Sequence, residues 1–526
     1  MSHINSVPQR RTLLSVLTLL CLACSIASAQ KRPITAKDFD TWRTLTGQVL
    51  SHDGHYLAYG LFPLEGDGQV VIRNLTTGKE SHENAGELPP PPDPDPNAEE
   101  PPLPRSIQLS FTNDSKTLVF RAYPTHAAVE KAKTEKPEKT EKKNPPHEEL
   151  VVVDLASSKA TRVPDIKSFQ LPKNADGFLA YLKYPAPPSA SKPDDKKSAE
   201  TETTPEAAGP APGNSRETPE FGTTLTLLNL TTQSSREFPD VLEYQLTGKS
   251  LAYSVLAHKP ETDGVYVVST ASPASGNDPH ELISGKARYQ HLAWDDDSNE
   301  LAFIGNPAAK PDDKKPLYNL YLWKTTEPKA ALVVSTTTPG FRKGFILHDH
   351  ATLTFSKDGT RLFFGAAPPP PPRHPTAIDP DKPSFDLWSY NEESIPPIQK
   401  VRAPADLNRS FRAVYLVPDK KMVQLADETL AEVVPNESGR YALGTDEREY
   451  RPMQDYGERI ADTYLVDVDT GNRNLLLKKH QGATRWSNDG RYFITFDGKD
   501  WNSIAIPSGK AVNLTAKLPV KFWNEE

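Results

Sequence analysis

The residues nearest in type and spacing to a chemical motif are two His-Glu pairs, two aspartate runs and one Gly-Lys-Ser. His147-Glu148-Glu149 and His82-Glu83-Asn84 place an imidazole beside a carboxylate, as zinc chemistry requires. Neither has a second histidine four residues on, which would put two ligands on one helix face. Both border Pro/Lys/Glu-rich stretches and read as solvated loops. Asp295-Asp296-Asp297 and Asp467-Val468-Asp469 resemble the start of a calcium loop. Neither continues into the glycine and terminal glutamate such a loop needs, so both read as turn aspartates. Gly248-Lys249-Ser250 resembles the end of a phosphate loop, but Glu243 stands where its first glycine belongs and a strand pattern follows. Tyr441 to Tyr456 is dense in charge and aromatics; it suits a ligand-facing loop, or a rim network of ion pairs. No residue earns a catalytic, cofactor-binding or metal-ligating assignment. No cofactor is implied.

The elements that would position any chemistry come from a phrase that recurs eight times. It is a turn, then Asp-Gly or a substitute, then two spacers and an aliphatic-small-aromatic strand. Ser51-His52-Asp53-Gly54-His55-Tyr56-Leu57-Ala58-Tyr59 is one copy and Ser356 to Phe364 another. The turn pairs are Asp53-Gly54, Asp114-Ser115, Asp176-Gly177, Thr247-Gly248, Asp297-Ser298, Asp358-Gly359, Ser438-Gly439 and Asp489-Gly490. Asp and Gly tolerate the left-handed backbone of a tight hairpin. A second hairpin follows in each unit, as in Val70 to Leu75 before Thr76-Thr77-Gly78-Lys79, or Tyr464 to Asp469 before Thr470-Gly471-Asn472. Tyr318 to Trp323 and Phe385 to Tyr390 are expected in the same place of their units. Four antiparallel strands per repeat make a propeller blade. The expected fold is therefore all-β, a β-propeller of seven or eight four-stranded blades spanning residues 30–515, with 516–526 as a cut tail.

The chain has 526 residues, 51 Pro and 28 Gly, and is 36% hydrophobic, too little for packing throughout. Inserts rich in Pro, Lys, Glu and Ala account for this, at about 85–105, 124–148, 185–220, 306–316 and 367–384, and are expected to be disordered or extended. The Glu130 to Lys143 run is interrupted by Pro137 and reads as a tether, and the runs Pro89 to Pro92 and Pro368 to Pro372 as stiff spacers. The net charge is -8 with signs interspersed, so no nucleic-acid partner is expected.

Residues 1–29 read as a signal peptide: Arg10 and Arg11, an apolar run from Leu13 to Ile26, and Ala27-Ser28-Ala29 as the cleavage site. Both cysteines, Cys21 and Cys24, lie inside it, so the mature chain is expected to have no disulfide and no thiol chemistry. An exported protein without disulfides fits a bacterial periplasm or exterior, with no membrane span left after cleavage.

The unit S-x-D-G-x-x-L-A-Y followed by V-x-x-L-x-T-G-K resembles the propeller repeat of TolB-like proteins and of the S9, or prolyl oligopeptidase, family of serine peptidases. The opening Ile34-Thr35-Ala36-Lys37-Asp38-Phe39-Asp40-Thr41-Trp42 resembles the first mature residues of exported bacterial S9 peptidases. The resemblance covers about residues 34–515. It implies a propeller that filters peptide or small-protein substrates for an α/β-hydrolase domain with a Ser–Asp–His triad. No G-x-S-x-G elbow occurs in this sequence, so no catalytic residue carries over and the catalytic half is expected elsewhere. Two other readings stay open: a TolB-like periplasmic protein-binding module, for which the Gln30 to Val49 lead-in is short, and a propeller lyase or glycosidase with acids or histidines round its channel.

Overall fold

The computed structural model describes residues 35, 39, 42–90, 105–134, 146–185, 221–270, 278–307, 317–369, 388–454, 459–482 and 484–522. The signal segment, its two cysteines and most of the inserts lie outside these residues.

The described strands form eight four-stranded antiparallel units in sequence order. Blade one is Arg43–Leu50, Tyr56–Pro63, Asp67–Asn74 and Glu80–Glu87; blade two is Leu109–Phe111, Thr117–Ala122, Glu149–Asp154 and Lys159–Val163. Blades three and four share a seven-stranded sheet from Ile166–Gln170 to His280–Ser284. Its twelve-residue strand Ser235–Leu246 serves both, and its register shifts between Val241 and Glu243. Just before that shift Asp240 adopts φ 54°, and the chain turns from the outer edge of one blade into the inner edge of the next. Blade five is Tyr289–Trp294, Glu300–Gly305, Asn319–Lys324 and Ala331–Val334. Blade six is Ile346–Leu347 with Thr354–Phe355, then Arg361–Ala367, Phe411–Leu416 and Lys421–Gln424. Blade seven is Glu432–Pro435, Tyr441–Asp446, Ala461–Asp467 and Arg473–His480; blade eight is Thr484–Trp486, Tyr492–Phe496, Trp501–Ala505 and Lys510–Asn513.

First strands contact the first strands of neighbouring blades, as in blades one and two or five and six, so they form the inner wall of a β-propeller. The two middle strands of a blade are covered on both faces. They therefore read as continuous apolar runs instead of alternating ones: Leu118, Val119 and Phe120 are all fully buried, as are Leu150 and Val151 on the paired strand. Fourth strands face outward and are largely exposed, as Lys159–Val163 shows.

The repeat motif builds a turn whose side chains replace missing backbone partners. In the first copy, Ser51 N donates to Tyr56 O at 2.8 Å and Gly54 N to Ser51 O at 2.9 Å. Ser51 Oγ donates to Asp53 Oδ1 at 2.6 Å and accepts from Tyr56 N at 2.9 Å. The same bonds recur around Thr112, Ser356 and Ser487. The residue after the aspartate sits in the left-handed region at Gly54, Gly177, Gly359 and Gly490, and also at Ser115 and Ser298, as does Gly439 after Ser438. The fourth copy departs: Gly248 is not left-handed, and Thr247 closes the turn through its hydroxyl, which accepts from Ser250 N at 3.1 Å. The second hairpins follow the same logic, since Asn74 Oδ1 accepts from Thr76 N and Thr77 N.

Six hydrophobic clusters seal the interfaces from blade one through blade seven. Among the described residues none joins blade seven to eight or blade eight to one. Blade eight buries Phe493 and Ile504, while Leu45 and Leu50 of blade one and Val512 and Leu514 of blade eight are about half exposed. Seven blades are thus joined by apolar clusters, and the eighth meets blade seven through contacts such as Thr495 Oγ1 with His480 Nε2 at 2.5 Å.

Connections between the first and second and between the third and fourth strands lie on one rim; the remaining connections lie on the other. The described connections of the first rim are tight turns. On the second lie the described ends of the connections 88–108, 123–148, 184–222, 306–318, 368–410 and 447–460. All three α-helices of the described residues are here: α1 (His126–Thr134), α2 (Pro396–Leu407) and α3 (Arg451–Gln454).

Several expected boundaries need correction. Residues 388–390 of the expected strand Phe385 to Tyr390 are not a strand, and 385–387 lie outside the described residues. Phe411–Leu416 takes that place, because it offers the fully buried Ala413 and Val414 where Trp388 and Tyr390 are 63% and 97% exposed. Residues 85–87 of the first insert belong to a strand in which Ala85 is fully buried, and His82 lies on that strand, not in a loop. The tether expected from Glu130 begins as α1, closed by a Lys133–Glu130 pair at 2.8 Å.

Asp427, between blades six and seven, accepts from Thr429 and is paired with Arg473 at 3.1 Å. Burial by itself would raise its carboxyl, but the Thr429 and Arg473 hydrogen bonds outweigh that and hold it down to about 2. Its unfolded value is roughly 3.9, so its stabilisation is complete above about pH 4 and is lost as pH falls toward 2. Asp427→Asn is expected to lower neutral-pH stability by on the order of 1–2 kcal/mol and to flatten the acid limb of a denaturation-midpoint-against-pH curve.

Candidate functional site

The residues singled out from sequence fall mostly into structural roles. His147 stacks on Tyr184 at 3.8 Å and lies 3.2 Å from Asp165; His82 approaches Glu80 at 4.0 Å. Asp295 Oδ1 accepts from Asn299 N and Glu300 N, both at 2.7 Å, and Asp467 accepts from Asp469 N and Thr470 N. Between Tyr441 and Tyr456 the described residues form the rim ion-pair network. Arg448 makes two bonds to Asp446, Arg451 pairs with Glu447 and with Glu393 of the neighbouring connection, and the Tyr450 hydroxyl donates to Asp462. The turn serines Ser51 and Ser356 spend their hydroxyls on an aspartate and a backbone amide.

The inner strands bring together residues that the repeat pattern did not mark. Gln108 and Ser110 of blade two and Ser168 and Phe169 of blade three, with Arg121, line a cavity of about 380 Å³. Arg121 pairs with Glu148 at 3.1 Å and donates to Lys167 O, which fixes its guanidinium in that wall. Ser168 Oγ meets the Tyr244 hydroxyl at 3.0 Å, and Gln170 bonds Tyr244 O and Leu246 N, so amide groups stitch blade three to blade four. Burial pushes the Tyr244 phenol up.

On the other side of the wall, the inner strand of blade five bulges between Gln290 and Ala293. His291 takes φ 59° there, and its amide donates to Glu243 Oε2 at 2.6 Å. The bulge aims His291 Nε2 at Asp349 O, 2.6 Å away, and Gln290 Nε2 reaches Asp349 Oδ2 at 3.3 Å. Burial first, and the Asp349 charge second, push the neighbouring Tyr318 phenol up. Asp349 is flanked by His348, whose imidazole burial and then His350 push down, and by His350. The only sequence signal for this cluster is the H-D-H spacing itself. The strand ends at Leu347 and the chain turns at Asp349 and His350, which brings the two rings to one side.

Eight four-stranded units around an inner wall of first strands define the class: the protein is a β-propeller. Among solved structures it is similar to a eukaryotic initiation factor, with TM-score 0.41 and 10% identity over 90% of this chain and 88% of that one. It is also similar to a prolyl endopeptidase (TM-score 0.35, 13% identity, 96% of this chain and 61% of that one). A third is the propeller domain of the Trilobed protease from Pyrococcus furiosus, described as having an open velcro topology (TM-score 0.30, 12% identity, 84% and 97%). This chain thus spans about three fifths of the prolyl endopeptidase. At these identities and scores the likeness assigns neither family nor activity. No family model and no curated protein matches the sequence. No helix among the described residues is long and apolar enough to cross a membrane.

Proposed function

We propose that this propeller gates substrates for an S9-type serine peptidase, admitting extended peptide segments while leaving the hydrolysis to a catalytic domain outside these residues, in a bacterial periplasm or exterior. The observation that supports it best is the mixed inner wall at blades two and three. Gln108, Ser110, Arg121 and Ser168, beside the apolar Phe169 and Leu171, face a cavity of about 380 Å³, and amides and hydroxyls of this kind satisfy a peptide backbone without reading its side chains. The S-x-D-G-x-x-L-A-Y repeat, whose resemblance suggested the family, builds the turns that hold this wall.

Two measurements on the purified chain test the reading. A serine-directed fluorophosphonate is expected to label no serine. A fluorescent peptide of about ten residues is expected to bind, with Arg121→Ala weakening it roughly tenfold through the loss of one charge-assisted hydrogen bond. Covalent labelling of any serine, or peptide binding indifferent to Arg121, overturns it.

A further inference from the structure

The inner strand of blade six comes in two pieces, Ile346–Leu347 and Thr354–Phe355, both paired with Arg361–Ala367. His348, Asp349 and His350 occupy the start of the break. His348 Nδ1 lies 3.5 Å from Asp349 Oδ1, and His350 Nε2 lies 4.0 Å from the same oxygen. One ligand atom from each residue falls within 4.8 Å of the other two. The two imidazoles stand 4.1 Å apart, tilted by 33°. Ligands bonded at about 2.0–2.2 Å to a tetrahedral ion sit roughly 3.3–3.6 Å from one another, so these three need only a small inward shift.

A second observation is independent of that spacing. The His348 side chain is only 6% exposed, yet its Nδ1 has no hydrogen-bond partner and faces Asp349. A buried ring nitrogen without a hydrogen bond is costly, and a cation held between it and the carboxylate would supply the missing partner. The carboxylate between the two rings is already held from behind. Gln290 Nε2 bonds its other oxygen, Arg288 Nε holds Gln290 Oε1 at 3.0 Å, and His291 fixes the Asp349 carbonyl. Outer residues that orient a ligand in this way are the usual surroundings of a bound metal.

We infer that His348, Asp349 and His350 form a binding site for one divalent first-row transition-metal ion, Zn²⁺ being the reference case. Two imidazole nitrogens and one carboxylate oxygen suit such an ion and disfavour Ca²⁺ and Mg²⁺, which prefer oxygen alone. His350 and Asp349 are open to solvent, their side chains 40% and 37% exposed, so water completes the coordination. The ion would tie the break in blade six to the bulge of blade five through Asp349. The inference does not depend on the gating reading.

The test uses the full chain stripped with chelator and then titrated with Zn²⁺ by calorimetry and with Co²⁺ by visible spectroscopy. One equivalent is expected per chain, with Co²⁺ bands typical of nitrogen and oxygen ligands and a rise in the thermal midpoint. His350→Ala and Asp349→Asn alter exposed side chains and leave the fold in place, so they serve even if His348→Ala fails to fold. Each is expected to weaken Zn²⁺ at least about tenfold and to abolish the Co²⁺ bands, and Gln290→Ala to weaken it about 10–100-fold while keeping them. Retention of wild-type affinity by both His350→Ala and Asp349→Asn overturns the site, as does failure of the wild-type chain to bind one equivalent at submillimolar Zn²⁺. Competition by equimolar Ca²⁺ or Mg²⁺ overturns the assignment of metal class.

Discussion

Gly86→Ala is expected to cost about 3–5 kcal/mol, read as a drop in the urea midpoint at unchanged slope. Gly86 has φ +69° at a bulge in the fourth strand of blade one. A Cβ there would stand 1.9 Å from Tyr123 O and 2.8 Å from Pro124 O. These are backbone atoms and cannot swing aside. Two bonds hold the strand end against that segment, Tyr123 N to Ala85 O at 2.8 Å and Glu87 N to Pro124 O at 2.9 Å. An alanine would break both, on top of about 1–2 kcal/mol of left-handed strain. Gly54 separates the two costs. It has φ +73° but nothing within 4 Å of the added atom, so Gly54→Ala should show the strain alone. Equal losses from the two variants would mean that the contact between blades one and two contributes nothing.

The second large effect is expected at the centre of blade five. Phe303 is fully buried, stacked on Tyr321 at 5.5 Å and edge-on to Tyr289 at 6.1 Å. Its cluster joins blade four, through Val265 and Leu282, to blade five. Phe303→Ala leaves a cavity among large, rigid rings, and a loss of about 3–5 kcal/mol is expected. A loss under about 1 kcal/mol would show that the rings collapse into the space and that the interface is plastic. Phe493 is equally buried but belongs to blade eight, which shares no apolar cluster with a neighbour among the described residues. Phe493→Ala should therefore raise amide exchange in blade eight and leave blades two to six protected.

The architecture was readable because the repeat is a physical device, not only a pattern. A Ser or Thr two residues before Asp, and Gly or Ser one residue after it, encode the bonds seen at Ser51, Thr112, Ser356 and Ser487. Where that grammar weakened, the reading weakened too. Phe385 to Tyr390 and Phe411–Leu416 both have strand-like composition, and only burial against Phe363 and Phe364 chooses between them. α2 was not anticipated, since Pro404 inside it argues against a helix even though Pro396 and Pro397 suit its first turn, and it forms with no buried residue of its own. The His348–His350 cluster stayed hidden for a different reason. Its meaning depends on a break in a strand and on a bulge some sixty residues earlier in the chain, as the His291–Asp349 bond shows. No local spacing records either.

The unequal rims give the molecule a direction for change. Lengthening a connection that already spans tens of residues adds little closure entropy, about 0.6 kcal/mol for each doubling. A Ser-Asp-Gly turn, in contrast, tolerates no inserted residue without losing its whole set of bonds. Sequence novelty should therefore accumulate on one side of the disc while the opposite side stays nearly fixed in outline. Foreign modules grafted after residues 185, 369 or 454 would all be displayed on the same side, and the tight-turn side would be left free for oriented immobilisation.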